Sequence, residues 1–161
     1  MIGEPNVGKS TLVNQITGTK VSIVTHKAQT TRTRARGIKM VENAQLILVD
    51  TPGVFVPKRR LDRAMVSSAW NGFKEADIIL FMVDASRGFT ELGKTILCSV
   101  TDRYNISRPV ILLLNKMDKV KPKSLLQLSK LVNSNFNFRF VLHNFCILFK
   151  YICNVQYSML L

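Results

Sequence analysis

The sequence predicts a mostly parallel α/β sheet with helices on both faces. Three observations carry that expectation. The apolar runs Ile78–Val83 (IILFMV) and Val110–Leu114 (VILLL) are continuous, as in strands covered on both sides. Segments with helical spacing of apolar residues alternate with the strands, which favours parallel pairing through crossover helices. The polar residues Asp50, Asp84 and Asn115 close the apolar strands at their carboxyl ends, where open α/β sheets bind ligands.

The elements follow in order. Lys9–Gly18 (KSTLVNQITG) reads as a helix closed by glycine. Lys20–Thr33 is polar and Thr-rich and reads as a loop. Arg36–Met40 and Gln45–Val49 read as two strands with a turn at Glu42-Asn43. Asp50–Arg60 is a loop punctuated by Pro52, Gly53 and Pro57. Leu61, Met65, Ala69, Phe73 and Ala76 stand at helical spacing across Leu61–Ala76. Thr90–Tyr104 predicts a helix, and Pro122–Val132 another with proline in its first turn.

The chain of 161 residues is one domain's worth, and 47% hydrophobic content supports a buried core. The net charge of +13 is unusual, with Lys and Arg gathered at 20–39, 58–63 and 116–130. A basic surface favours polyanions such as nucleic acid, nucleotides or acidic membranes; solvated helix faces and loops are also often basic. Cys98, Cys146 and Cys153 match no zinc spacing and no disulfide framework, so a reducing compartment is expected. No signal peptide is read at the N-terminus, and no stretch gives about 18 clean apolar residues.

Three motifs carry chemistry. Gly3, Gly8, Lys9 and Ser10 fit G-x-x-x-x-G-K-S. Glycines let backbone amides approach a phosphate, the following helix start adds an anion site, Lys9 can reach the β- and γ-phosphates, and the Ser10 hydroxyl can ligate magnesium. Asn6, Val7 and Thr11 belong to the same loop and helix start. The second motif, Asp50–Gly53 (DTPG), follows an apolar strand. Asp50 can hold magnesium and the Gly53 amide can sense a γ-phosphate. The third is Asn115–Asp118 (NKMD). A carboxylate at Asp118 that accepts from N1–H and the 2-amino group selects guanine over adenine. Asn115 would bridge to the phosphate loop, and the Lys116 stem would cover the base. Thr30-Thr31 adds a switch candidate: Thr31, before Arg32, would close onto magnesium when the γ-phosphate is present.

From Gly3 to about Val132 the chain resembles the Era family of GTPases, on GEPNVGKSTLVN, THKAQTTRTRARGI, LVDTPGVFVPKRRLDRAM, VDASRG and LLLNKMD. The resemblance implies a Ras-like P-loop GTPase domain, incomplete at both ends, that binds GTP and GDP with Mg2+. It implies catalytic roles for Lys9, Thr31 and Gly53, and magnesium ligation by Ser10, Thr31 and Asp50. Partners implied are the small ribosomal subunit and its rRNA, in a bacterial-type cytoplasm or an organelle. Basic loops add a weak peripheral attraction to anionic lipid. Val54 stands where Ras-like proteins place a water-orienting glutamine, and in this the chain resembles the hydrophobic-substituted class. Asn6 resembles the asparagine that helps related GTPases bind K+.

The sequence also departs from the family. The strand before the phosphate loop is absent apart from Met1-Ile2, which removes buried residues worth roughly 1.5–3 kcal/mol each. The family's Ser-Ala guanine motif and its RNA-binding KH domain are not found. Residues 133–161 show no trusted period and read as an atypical hydrophobic tail, either a frameshift or gene-model product or a genuine segment that packs on the sheet or touches a membrane. The domain expectation is therefore a partial GTPase domain at 1–132 and this tail at 133–161. The alternative function is a non-catalytic fragment of such a GTPase that binds nucleotide poorly or not at all.

Overall fold

Strands in the centre of this protein are apolar on both sides because both sides are covered. The computed structural model describes residues 1–24, 35–54, 66–67, 69–70, 76–104, 109–136, 138 and 140–143. Strands β1 (Ile2–Gly3), β4 (Ile79–Asp84), β5 (Val110–Asn115) and β6 (Phe140–His143) form one sheet in that order, with every pair parallel. Strands β2 (Ala35–Val41) and β3 (Ala44–Asp50) form an antiparallel ladder that turns at Glu42-Asn43, with Glu42 at φ 51°.

Helices α1 (Lys9–Thr17), α2 (Glu91–Tyr104) and α3 (Pro122–Asn135) supply the covering layers. Ile79, Phe81 and Val83 of β4 point into a cluster with Ile96, Leu97 and Val100 of α2 and Val132 of α3. Leu80 and Met82 point the other way, to Leu12, Val13 and Ile16 of α1. This alternation is the physical basis of helices on both faces.

Apart from the expected Leu61–Ala76 helix, the expected helices and strands are present, with small shifts of boundary. Gly18 closes α1 in a left-handed conformation at φ 71°, and Pro122 opens α3. The strand expected to be absent survives as a two-residue stub. Ile2 is fully buried, and β1 registers against Phe81 and Met82. It also ties the two sheets together: the Met1 amine donates to the Val49 carbonyl at 2.9 Å, and the Thr51 hydroxyl donates to the Met1 carbonyl at 2.6 Å.

The regular fold runs past Val132, contrary to the absence of a trusted period there. Helix α3 continues to Asn135, and β6 adds a strand opposite Ile111–Leu114. Leu142 is buried on the α1 side, and Val141 packs on the other. A four-residue strand covered on both faces has no alternation to detect.

Of the expected Leu61–Ala76 helix, residues 66–67 and 69–70 are helical; the rest up to residue 75 lies outside the described residues. Thr30, Thr31, Arg32, residues 58–63, Cys146, Cys153 and the tail from residue 144 lie outside them as well. No described helix is long and apolar enough to cross a membrane.

Candidate functional site

The three motifs fall on loops at the carboxyl ends of β1, β3 and β5, and the fold brings them together. The phosphate loop leaves β1 and enters α1 through Gly8, whose φ of 105° suits glycine and whose missing side chain leaves room for Asn115. No side chain caps α1, so its first amides face the loop. Asn6 is exposed at φ 63°, Val7 is buried, and Thr11 is exposed on the first turn.

Lys9 is 6% exposed, and its ammonium donates to the carbonyls of Gly3 at 3.2 Å and Glu4 at 2.7 Å. Burial lowers its pKa from 10.5 to about 8, opposed by the Asp50 and Glu4 carboxylates, which favour the charged form. The Ser10 hydroxyl donates to Asp50 Oδ2 at 2.7 Å, although 40 residues separate them in sequence. Asp50 is fully buried. Two hard oxygen donors on one centre fit a magnesium ion better than a soft metal. Among the described residues, no group of three or more His, Cys, Asp or Glu side chains gathers as a separate metal centre.

Beyond Asp50, the chain passes tightly against the phosphate loop. A side chain at Gly53 would sit 2.8 Å from the Pro5 Cα, so glycine is what lets the two loops touch. The next residue, Val54, is buried in the α2-side cluster, and its amide donates to the Gly3 carbonyl at 3.1 Å. An apolar side chain turned into the core offers nothing to hold a water.

The Asn115 amide donates to the Val7 carbonyl at 2.7 Å, which is the expected bridge between the third motif and the phosphate loop. Lys116 sits at φ 58° and donates to the Asn6 carbonyl at 2.8 Å and to Asp84 Oδ2 at 2.7 Å. Its head group is therefore anchored at both ends of the loop cluster. The 3₁₀ turn Met117–Lys119 follows and presents Asp118 exposed.

In the sequence Asp84 stands only as strand punctuation, with no role of its own. It is the buried anchor of Lys116. Burial pushes its carboxyl up, but the Lys116 hydrogen bond and the Ser86 contacts outweigh that and hold it below 3.8. A depressed folded-state value contributes stability above 3.8 that is lost as pH falls through the folded value. Asp84→Asn is expected to cost about 1–3 kcal/mol, because Lys116 loses a charged partner. Thermal melts at neutral and acid pH check this: the gap between variant and parent should narrow as pH falls.

Fold and site together define a P-loop domain of the GTPase type. A family model described as a 50S ribosome-binding GTPase matches residues 1–116. GTPase Era of Brucella suis biovar 1 (strain 1330) is 57% identical over 133 residues, 83% of this chain and 42% of that protein. The chain belongs to this family, within its Era group. GTPase Era of Mesorhizobium japonicum (strain LMG 29417 / CECT 9101 / MAFF 303099) is 54% identical over 139 residues, 86% of this chain and 44% of that protein. The chain thus spans less than half the length of these curated relatives. Among solved structures, it is similar to Era in complex with MgGDPNP and nucleotides 1506–1542 of 16S ribosomal RNA, at TM-score 0.86 and 38% identity, over 95% of this chain and 54% of that one. An Aquifex aeolicus Era variant bound to GDP.AlF4- gives TM-score 0.85 and 37% identity over the same shares.

Proposed function

We propose that residues 1–132 work as an Era-type GTP-binding domain that hydrolyses GTP to GDP and phosphate, with β6 beyond them adding a strand to its sheet. The observation that carries this is the convergence of three loops distant in sequence: Ser10 on Asp50, and Asn115 on Val7. The amides of Gly3–Gly8 and the α1 start receive the phosphates, and Lys9 neutralises them. Ser10 and Asp50 would hold magnesium, and Thr31 would be a further ligand in the presence of the γ-phosphate. Held there by Ser10 and Asp50, magnesium would supply positive charge to offset that of the phosphates. The Gly53 amide senses the γ-phosphate, and Asn115, Lys116 and Asp118 shape the base pocket.

Titration calorimetry tests the reading. GDP should bind in the presence of magnesium, and ATP should fail to compete. ATP competing as well as GTP removes Asp118 from base selection. With Val54 in the core, intrinsic hydrolysis is slow, and Asn6 makes K+ the charge-stabilising cation. Turnover is expected to be faster in potassium than in sodium; equal rates would take Asn6 out of that role.

The structural relative bound to a 16S rRNA segment supports small-subunit rRNA as a partner, and the bacterial Era relatives favour a bacterial-type cytoplasm as its setting. The basic segments at 20–39 and 116–130 suit phosphate backbones, and weakly an anionic lipid surface.

A further inference from the structure

The phosphate loop carries a carboxylate that the nucleotide reading does not use. Glu4 is 8% exposed, within a loop expected to receive anions. Its side chain reaches the start of α2, where Oε1 accepts a hydrogen bond from the Thr90 hydroxyl, 86 residues away in sequence. Thr90 caps α2: its oxygen accepts from the Gly93 amide at 3.0 Å. The positive end of the helix dipole favours a carboxylate there. Arg87 adds a guanidinium nitrogen 3.6 Å from Oε2, a half-exposed and therefore weak contact.

The same residue is tied to the chemistry through its backbone, because the Glu4 carbonyl accepts from Lys9 at 2.7 Å. Any phosphate that draws the Lys9 ammonium competes with that bond. On its far side, the start of α2 packs through Phe89 and Leu92 on the cluster that also receives Val54, Val66 and Trp70. Val54, Val66 and Trp70 therefore share one packed layer with the start of α2. Such layers rearrange as units and do not deform continuously.

We propose that Glu4 is a positioning residue: through the Thr90 cap, its carboxylate holds the start of α2 against the phosphate loop and couples the state of that loop to the segment carrying Trp70. This rests on the nucleotide reading above. Glu4 touches no reacting atom; it acts through Thr90 and α2.

Trp70 is the single tryptophan of the chain and serves as the reporter. The experiment compares its emission in the full chain with GDP and with the non-hydrolysable analogue GDPNP. The parent protein should give different emission with the two. Thr90→Val removes the hydroxyl at nearly constant volume and should abolish the difference, while each nucleotide still binds within about threefold of the parent. Thr90→Ser should restore it, a rescue that loss of packing alone would not produce. Glu4→Gln keeps the volume, drops the charge and should shrink the difference; should Thr90→Val fail to fold, this variant decides. Equal emission with both nucleotides in the parent, or an unchanged difference in folded Thr90→Val or Glu4→Gln, overturns the coupling. A parent that binds neither nucleotide overturns the nucleotide reading and the coupling with it.

Discussion

Lys9→Met is expected to lower GTP turnover roughly 10²–10³-fold, the scale of removing one charge-stabilising donor from a preorganised site. The ammonium is buried, and two loop carbonyls fix its direction, so little reorganisation is needed for it to meet a phosphate. The same burial lowers its pKa to about 8, which means that holding the charge costs stability. Methionine keeps the length of the stem and relieves that cost. The Gly3 carbonyl retains its bond from the Val54 amide. The thermal midpoint without nucleotide should therefore hold or rise while activity falls. Lys9→Arg keeps charge but not the compact head group, and should rescue only part of the rate. Phosphate release and a melting curve on the three proteins check this. Turnover within about tenfold of the parent in Lys9→Met would remove Lys9 from the phosphate role.

Asp118→Asn has the second large expected effect, on which base binds. The carboxylate stands exposed on a turn that begins at left-handed Lys116, itself fixed by Asp84 and the Asn6 carbonyl. Two hydrogen bonds from guanine to a charged acceptor are worth about 1.5–3 kcal/mol each. Asparagine keeps one neutral acceptor but opposes the 2-amino group with a donor, so one bond is lost and the other loses its charge, which raises the Kd for GDP roughly 10–10³-fold. An asparagine amide can donate where the carboxylate accepted, so a base bearing an oxygen in place of the 2-amino group should bind better than GDP. Calorimetry with guanosine and xanthosine diphosphates checks both halves. A GDP affinity within about threefold of the parent would mean that the base is read elsewhere.

Much of this was legible in the chain because the information is local. A phosphate loop needs glycines and a lysine at fixed spacing, and apolar runs announce strands covered on both faces. The expected strands appeared within a residue or two at β2, β3, β4 and β5. Strand β6 was missed because four residues covered on both sides carry no period, and only the register against Ile111–Leu114 reveals it. The first strand was expected to be absent because Met1-Ile2 is too short to read as an element. It persists because Ile2 is buried between layers and Met1 bonds to Val49.

The sequence by itself determined the order of strands and helices from α1 to α3, the three motif loops, and the residues at which magnesium, phosphate and guanine chemistry are expected. Only the tertiary structure decided what each side chain holds. It placed Ser10 on Asp50, Asn115 on Val7, Lys116 on Asp84, and Glu4 on the cap of α2. The reason is physical. Spacing encodes backbone conformation, which is set by near neighbours. A hydrogen bond between residues 32 to 108 positions apart depends on which strand ends the sheet brings side by side.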